Sequence, residues 1–337
     1  MGVFRLWLPA ALGGVEVSAL EFMDVVESAA ALDGTIGWLV GNGGGMSRIG
    51  AFLPNESAQE IFADPEAFVV SSTAAMGRAV RVDGGYRVTG RWPFGSGARH
   101  ATWFSPVCAV ERDGHVTADV IFVCAPRGEV VVHDNWHVSG LCATGSVDFE
   151  LHDVLIDDRF ALAFQPEPTQ PGTLYRLPTR SIYSWTVATV PLGMARGAID
   201  EFVRIASFTK RRGDAGSFAE RELVQSQLGQ IQAQVSASRA YLRSTMAALL
   251  EAVEAGVDLQ PARVAFLLAC TSASQAALSA IGVLTEMAGA ISISHSCPLE
   301  RFERDARAAA KHIAMSPTAY ITGGKRLLGQ DLSTTSF

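Results

Sequence analysis

The chain has 337 residues, 48% of them hydrophobic and 18% charged, with a net charge of −7 at neutral pH. That length exceeds what one small core needs and predicts two cooperating domains, and the composition suits a globular protein that buries further surface between subunits. The acidic balance speaks against nucleic acid as a partner, and the densest basic run, Lys210-Arg211-Arg212, reads as a solvated helix end.

Cys108, Cys124, Cys142, Cys270 and Cys297 are scattered, with no C-x-x-C and no Cys/His ligand spacing. Neither a disulfide framework nor a metal site is expected, and a reducing, cytoplasmic compartment follows. The opening Met1–Pro9 has too short an apolar run and no basic flank for a secretory signal. After Met1-Gly2, Leu6 and Trp7 stand where a myristoylation pattern needs Ser or Thr.

From Val17 to Val40, Leu20, Met23, Val26, Ala30 and Ala31 follow helical spacing. From Phe68 to Ile156 the pattern changes to strands: Phe68–Val70, Tyr86–Thr89, Val107–Val110, Val120–Val123 and Glu129–Val132, with turns at Asp83-Gly84-Gly85 and Asp113-Gly114. This stretch reads as an antiparallel β domain. A linker from Gln165 to Pro178 carries Pro166, Pro168, Pro171 and Pro178. Beyond it, Val224, Leu228, Ile231, Val235, Leu242, Met246 and Leu249 form the heptad stripe of a long bundle helix. A second stripe covers Ala262–Ala290 and a third runs from Leu299 to about Ala319. Within the second, Val264–Thr285 is uncharged and almost long enough to span a bilayer. Its Thr271, Ser272, Ser274, Gln275 and Ser279 mark it instead as a buried bundle helix, and its apolar surface predicts association of copies, a homotetramer or at least a dimer. The expected class is α+β, divided into a helical segment (1–65), a β-barrel-like domain (66–165) and a helical bundle (175–337).

The densest local signal is Gly84 to Trp103, reading GGYRVTGRWPFGSGARHATW. A hairpin launches a strand that ends in a loop of small residues flanked by aromatics. Glycines such as Gly97 admit a planar ligand close to the backbone, Trp92 or Phe94 can wall it, and the Ser96 hydroxyl both donates and accepts. A strand-end bulge packed with core aromatics is the alternative for the same residues.

This segment resembles the flavin-edge segment of reduced-flavin monooxygenases with the acyl-CoA dehydrogenase fold, such as the oxygenase of p-hydroxyphenylacetate 3-hydroxylase and dibenzothiophene monooxygenase. Three further segments share the resemblance in the right order. Leu6 and Pro9 through Gly13-Gly14 are similar to an L-x-x-P-x-x-x-G-G opening, followed by Asp33-Gly34-Thr35-Ile36-Gly37-Trp38. Trp136 through Thr144-Gly145-Ser146 is similar to a W-x-x-x-G-x-x-x-T-G-S turn, and Pro298-Leu299 through Arg304-Asp305 to His312 is similar to a P-L-x-R-x-x-R-D helix ending in histidine.

The resemblance implies an acyl-CoA dehydrogenase-like arrangement of helices, β domain and bundle. It implies an oxygenase component that uses reduced FMN or FAD and O2 through a C4a-(hydro)peroxyflavin to hydroxylate, or N- or S-oxygenate, a small organic substrate. Ser96 would stand near flavin N5 and C4a, and Phe94 would lie beside the ring with Trp92 and Gly97. His100 would line the substrate side, and His312 would reach the pocket and take a substrate proton. No G-x-G-x-x-G follows a strand, so reduced flavin would come from a separate reductase and bind weakly. The chain opens at the L-x-x-P segment, so the family's leading helices are expected to be shortened.

Gly41 to Arg48 holds no histidine where phenol-hydroxylating members carry one. That departure points towards another substrate or towards N- or S-oxygenation. Arg301 and Asp305, at i and i+4, read as a helix ion pair, and His312 lies about two turns beyond Asp305 on the same face. His115 reads as a hairpin-turn residue, and His133, His137, His152 and His295 are given no role. Two alternatives stand. An acyl-CoA dehydrogenase needs a glutamate base, but Glu300 and Glu303 belong to an arginine-rich helix and Gly323-Gly324-Lys325-Arg326 offers no carboxylate. A catalytically silent member that binds a ligand or partner is the second.

Overall fold

The structure, a computed structural model, describes residues 2–210 and 216–332. Arg211 and Arg212 of the basic run lie outside the described residues. The chain forms two compact units that do not follow sequence order. The first comprises Met1–Ser18, Leu39–Val138 and Cys142–Thr179; the second comprises Ala19–Trp38, Ser139–Leu141 and Arg180–Phe337.

The helices are α1 (Ala19–Leu32), α2 (Gly34–Met46), α3 (Asn55–Phe62), α4 (Thr173–Arg176), α5 (Thr179–Ala188), α6 (Val190–Phe208), α7 (Glu222–Ala255), α8 (Gln260–Ala288), α9 (Pro298–Ala309) and α10 (Ala319–Leu327). The strands are β1 (Val69–Val82), β2 (Gly85–Gly95), β3 (Trp103–Arg112), β4 (His115–Val123), β5 (Ala125–Pro126), β6 (Val131–Val132), β7 (Val147–Asp157) and β8 (Ala161–Ala163).

In the first unit the strands join in the order β6-β7-β2-β1-β3-β4-β8, with β5 paired to β3. The sheet is mixed rather than antiparallel, because β1 and β3 run parallel from Val69↔Trp103 onward. The hairpin at Gly84 sends β2 back antiparallel to β1, and the chain then crosses the start of β1 before beginning β3 on its other edge. Asp113 and Gly114 both adopt positive φ (50° and 76°), the type I′ geometry that their sequence predicts.

Trp92 fills the core of this sheet. It is 0% exposed, stacks on Phe149 with ring centroids 5.6 Å apart, and donates from Nε1 to Val107 O at 2.9 Å. A Cβ on Gly77 would come within 2.0 Å of its ring, so that glycine is a packing requirement. The glycines of α2 are explained similarly. They cost helix propensity, but a Cβ on Gly43 would meet Phe68 at 2.3 Å and Phe4 at 2.7 Å. Close packing offsets the local cost, and the helix runs on to Met46. The proline-rich linker is likewise ordered: Thr169 N–H donates to Ala51 O at 2.7 Å, and Tyr175 is buried.

In the second unit the expected stripe of α7 faces inward, with Val224, Ile231, Val235, Leu242, Met246 and Leu249 buried. Among the described residues α8 alone is long and apolar enough to cross a membrane, yet it packs against α6, α7, α9 and α10 as a core helix. Small residues draw α1 onto α6, since a Cβ on Gly193 would lie 2.4 Å from Glu27 O and one on Gly197 would lie 2.2 Å from Ala31 O. Trp185, 0% exposed, donates from Nε1 to Ala19 O at 2.9 Å.

The third stripe is two helices, not one. α9 ends at Ala309, a 3-10 turn covers Ile313–Met315, and α10 begins at Ala319. His312 breaks the helix: its backbone is extended (φ −65°, ψ 138°) and its ring accepts the Ala314 N–H. A side chain that captures a nearby amide competes with helical continuation, as N-caps do.

Candidate active site

In the first unit, a bulge shapes the end of β2. Trp92 pairs with Phe149 and Gly95 with Val147, so Pro93 and Phe94 together stand opposite Asp148 of β7. Simple alternation would have put Trp92 and Phe94 on one face; the extra residue separates them. Phe94 takes a left-handed backbone (φ 64°) and stays 59% exposed, with the Trp136 ring edge-on at 6.3 Å. A large aromatic held out in a strained conformation marks a surface prepared for a partner rather than core.

Beside it lies a row of hydroxyls. Ser96 Oγ is 2.8 Å from Ser146 Oγ, which is 2.7 Å from Thr144 Oγ1. Gly97 N–H donates to Thr144 O at 2.8 Å and ties the two loops together. Gly97 therefore supplies the turn (φ 79°) and room for Phe68, which its Cβ would meet at 2.4 Å, rather than an amide for a ligand. Trp92 is corrected in the same way: it has no exposed surface and its N–H is used, so it supports the sheet rather than walling a ligand. His100 is exposed at the end of the 3-10 turn Ala98–His100.

The exposed Phe94 and the half-buried Trp136, next to hydroxyls and open backbone, suit a planar ring with polar edges. Gly145, at φ 51°, leaves such room, since a Cβ added there would meet nothing within 4 Å. The residues fit a flavin: Phe94 and Trp136 would wall it and Ser96 would meet its polar edge. Trp136, Thr144 and Ser146 were visible in the sequence only as members of a motif, with no role attached.

In the second unit, His312 is half-buried, and its ring meets Trp38 edge-on at 5.7 Å. Burial pulls its pKa down to about 4. Nδ1 accepts the Ala314 N–H at 3.2 Å, so the neutral ring carries its proton on Nε2. This corrects the proton-accepting role: His312 is a neutral hydrogen-bond donor. Its place on the helix face shared by Arg301 and Asp305 is corrected too, because α9 ends before it.

Nor do Arg301 and Asp305 pair. Arg301 Nε reaches Asp33 at 3.2 Å. Asp305 is 2% exposed and accepts the Leu141 N–H at 2.6 Å. Burial pushes its carboxyl pKa up, while the Leu141 hydrogen bond opposes that shift. Leu141 itself sits at φ 53°, and a Cβ on Gly140 would lie 2.1 Å from Arg304 O. The segment Ser139–Leu141 is thus gripped by α9, with Arg304 Nη1 donating to Ser139 O at 2.6 Å. Glu300 and Glu303 are bound to Arg304 and Arg307 in i,i+4 pairs, which occupies the carboxylates a dehydrogenase reading would need. Among the other histidines, His115 donates from Nδ1 to Asp113 O within its turn at 2.9 Å, and His133 meets Glu150 at 2.8 Å.

Residues 185–317 match the family model of the acyl-CoA dehydrogenase C-terminal domain. The chain is 29% identical over 346 residues to the flavin-dependent monooxygenase oxygenase subunit HsaA of Rhodococcus jostii (strain RHA1), which covers 99% of this chain and 90% of that one. It is 28% identical over 333 residues to the indole-3-acetate monooxygenase of Pseudomonas putida, covering 98% and 85%. Among solved structures, XiaF from Streptomyces sp., in complex with FADH2 and glycerol, superposes with a TM-score of 0.91 at 25% identity, covering 100% of this chain and 88% of that one.

Proposed function

We propose that the chain is the oxygenase component of a flavin-dependent monooxygenase built on the acyl-CoA dehydrogenase fold, and that it oxygenates an aromatic or heteroaromatic small molecule. The observation that carries this reading is the bulge at Pro93-Phe94, which displays an aromatic face beside the Ser96 hydroxyl. Relatives named for indole-3-acetate and resorcinol support the substrate class. Reduced flavin, supplied by a separate reductase, would provide two electrons to O2, so that one oxygen atom enters the substrate and the other leaves as water. Phe94 and Trp136 exclude water from the reacting face, because stray protons there divert oxygen to hydrogen peroxide. Ser96 offers a fixed hydrogen bond; for His312 the support is the resemblance of the segment that ends in it, by which its Nε2 proton would go to an oxygen atom. The choice between FMN and FAD falls to the test: the protein is given each reduced flavin anaerobically, then 18O2 and an indole or phenol. Incorporation of one labelled atom into product supports the reading; label recovered only in peroxide and water, with every substrate tried, would defeat it.

Ser96→Ala should raise the share of oxygen released as hydrogen peroxide by roughly three- to tenfold, the worth of one buried hydrogen bond. Ser96 is only half-buried, so the fold should survive. A peroxidase-coupled assay decides it, and an unchanged peroxide yield counts against Ser96 as a flavin contact.

The cytoplasm is the proposed compartment, in keeping with cysteines that carry no disulfide spacing. A homotetramer is the proposed assembly. Its support is the apolar surface of the second unit, where Phe208, Ile313, Ile321, Leu327 and Leu328 are each more than half exposed. Light scattering at micromolar concentration should report four chain masses; a stable monomer would rule the assembly out.

A further inference from the structure

We propose that Thr144 and Ser146 are positioning residues that set the direction in which Ser96 donates its proton. The proposal rests on the reading of Ser96 as the hydroxyl that meets the flavin. Three oxygens stand in a row, Thr144 Oγ1 to Ser146 Oγ at 2.7 Å and Ser146 Oγ to Ser96 Oγ at 2.8 Å. The inner two are shut off from solvent, with Thr144 1% and Ser146 5% exposed. Each hydroxyl owns one proton and can accept two.

Counting protons leaves few arrangements. Each of the two links consumes one proton, and Ser146 can donate to only one neighbour. If Thr144 donates to Ser146 and Ser146 to Ser96, the Ser96 proton is directed to an acceptor outside the row. In the reverse order Ser96 spends its proton on Ser146 and can only accept. An arrangement in which Ser146 receives from both neighbours strands its own proton in a buried place, which is costly. The row is therefore a two-state device, and an acceptor facing Ser96 selects the first state. Hydrogen bonds in a chain also polarise one another, so the Ser96 donor is stronger when the row is intact.

The backbone holds the spacing. Gly145 turns at φ 51°, which brings the side chains of residues 144 and 146 together, and Val147 N–H donates to Gly145 O at 2.7 Å. Gly95↔Val147 pairing and the Gly97 N–H to Thr144 O bond fix this turn against the Ser96 loop. Residues that merely packed here would not need three hydroxyls at hydrogen-bond distance, two of them shut off from solvent.

The test is a double-mutant cycle on Ser96→Ala and Ser146→Ala, with Thr144→Val and Thr144→Ser alongside. The readouts are the dissociation constants of reduced FMN and reduced FAD in anaerobic titration, the peroxide share, and the unfolding temperature. Ser146→Ala should weaken the tighter-bound reduced flavin about three- to tenfold. It should have little further effect in the Ser96→Ala background, since it acts through Ser96. Thr144→Val should act in the same direction, and Thr144→Ser, which keeps the hydroxyl, should restore near-normal binding. If Ser96→Ala weakens binding but Ser146→Ala does not, the row is overturned while Ser96 keeps its role. An undiminished Ser146 effect in the Ser96→Ala background overturns it as well, by showing an independent or purely structural action. If Ser96→Ala itself changes neither readout, the underlying reading of Ser96 falls and the row falls with it.

Discussion

His312→Ala is expected to lower the rate of substrate oxidation by about a hundredfold or more, the usual scale for losing a preorganised donor at a reacting centre. Reduced flavin should still be consumed, with oxygen diverted to peroxide. The tautomer sets this role. Nδ1 is engaged by the Ala314 N–H, which leaves the proton on Nε2, and burial keeps the ring neutral with a pKa of about 4. Between pH 6 and 8 His312 therefore contributes no titration, and the dependence of rate on pH in that range should be the same in wild type and His312→Gln. A histidine acting as base would instead lose activity as pH falls through about 6.5. Stability provides an independent check of the same group. The folded pKa is depressed, so below about 6.5 the unfolded chain binds a proton that the folded chain refuses until about pH 4. Stability falls as pH drops through that window, by about 2 kcal/mol at pH 5 from this group. Asp305, with its raised pKa, works in the opposite direction, so the comparison must be between wild type and His312→Gln. Urea midpoints at pH 7.5 and pH 5 should show a smaller acid loss in the variant; equal losses would mean that the ring titrates as it does in water.

What the sequence displayed and what it hid can be traced to particular residues. The stripe of α7 was legible because one long helix buries one narrow face, and nothing but its period is needed to find it. The turn at Asp113-Gly114 was legible because its residue types demand its geometry. The bulge was not. Alternation assigns Trp92 and Phe94 to the same side, and only pairing with β7 reveals the extra residue between them. β7 itself carries alternating Val147, Phe149 and Leu151, but the turn before it, Thr144-Gly145-Ser146, lacks the Asp-Gly pair that marked the hairpins of the other strands. The parallel pairing of β1 with β3 depends on a crossover, which no local pattern encodes. α1 joins the second unit although it precedes the whole sheet, because its apolar stripe is matched by α6, far away in the chain. His312 was recognised by motif but misplaced, since the capture of one amide by its own ring is what ends the helical order there. In the candidate site, the residues that resemblance named were easy to find. The hydroxyls that support them emerge only when the two loops are seen together.

Arg239→Met should destabilise the protein by roughly 2–4 kcal/mol, the range for breaking an ion pair with one buried member, reduced because Arg239 is partly open to solvent. Glu27, on α1, is 3% exposed, and Arg239 Nε of α7 reaches its two carboxylate oxygens at 2.9 and 2.7 Å. Asp24 accepts from both Arg239 Nη2, at 2.8 Å, and Arg243 Nη1, at 2.7 Å, so the arginine serves two acids. Removing it leaves Glu27 charged in an apolar place beside Asp24, whereas methionine keeps most of the side-chain volume and contact area. The loss should therefore be electrostatic, and Glu27→Gln/Arg239→Met should recover at least half of it because the stranded charge is gone. The consequence extends towards His312. α1 leads directly into Asp33, which pairs with Arg301, and on to Trp38, the edge-on neighbour of His312. Loosening α1 should accordingly shift the Trp38 fluorescence before global unfolding in a urea titration. A cost below about 0.5 kcal/mol would show that the pair is screened like an ordinary surface contact. In that case the close approach of α1 to Gly193 and Gly197 of α6 would be sufficient to hold the helix in place.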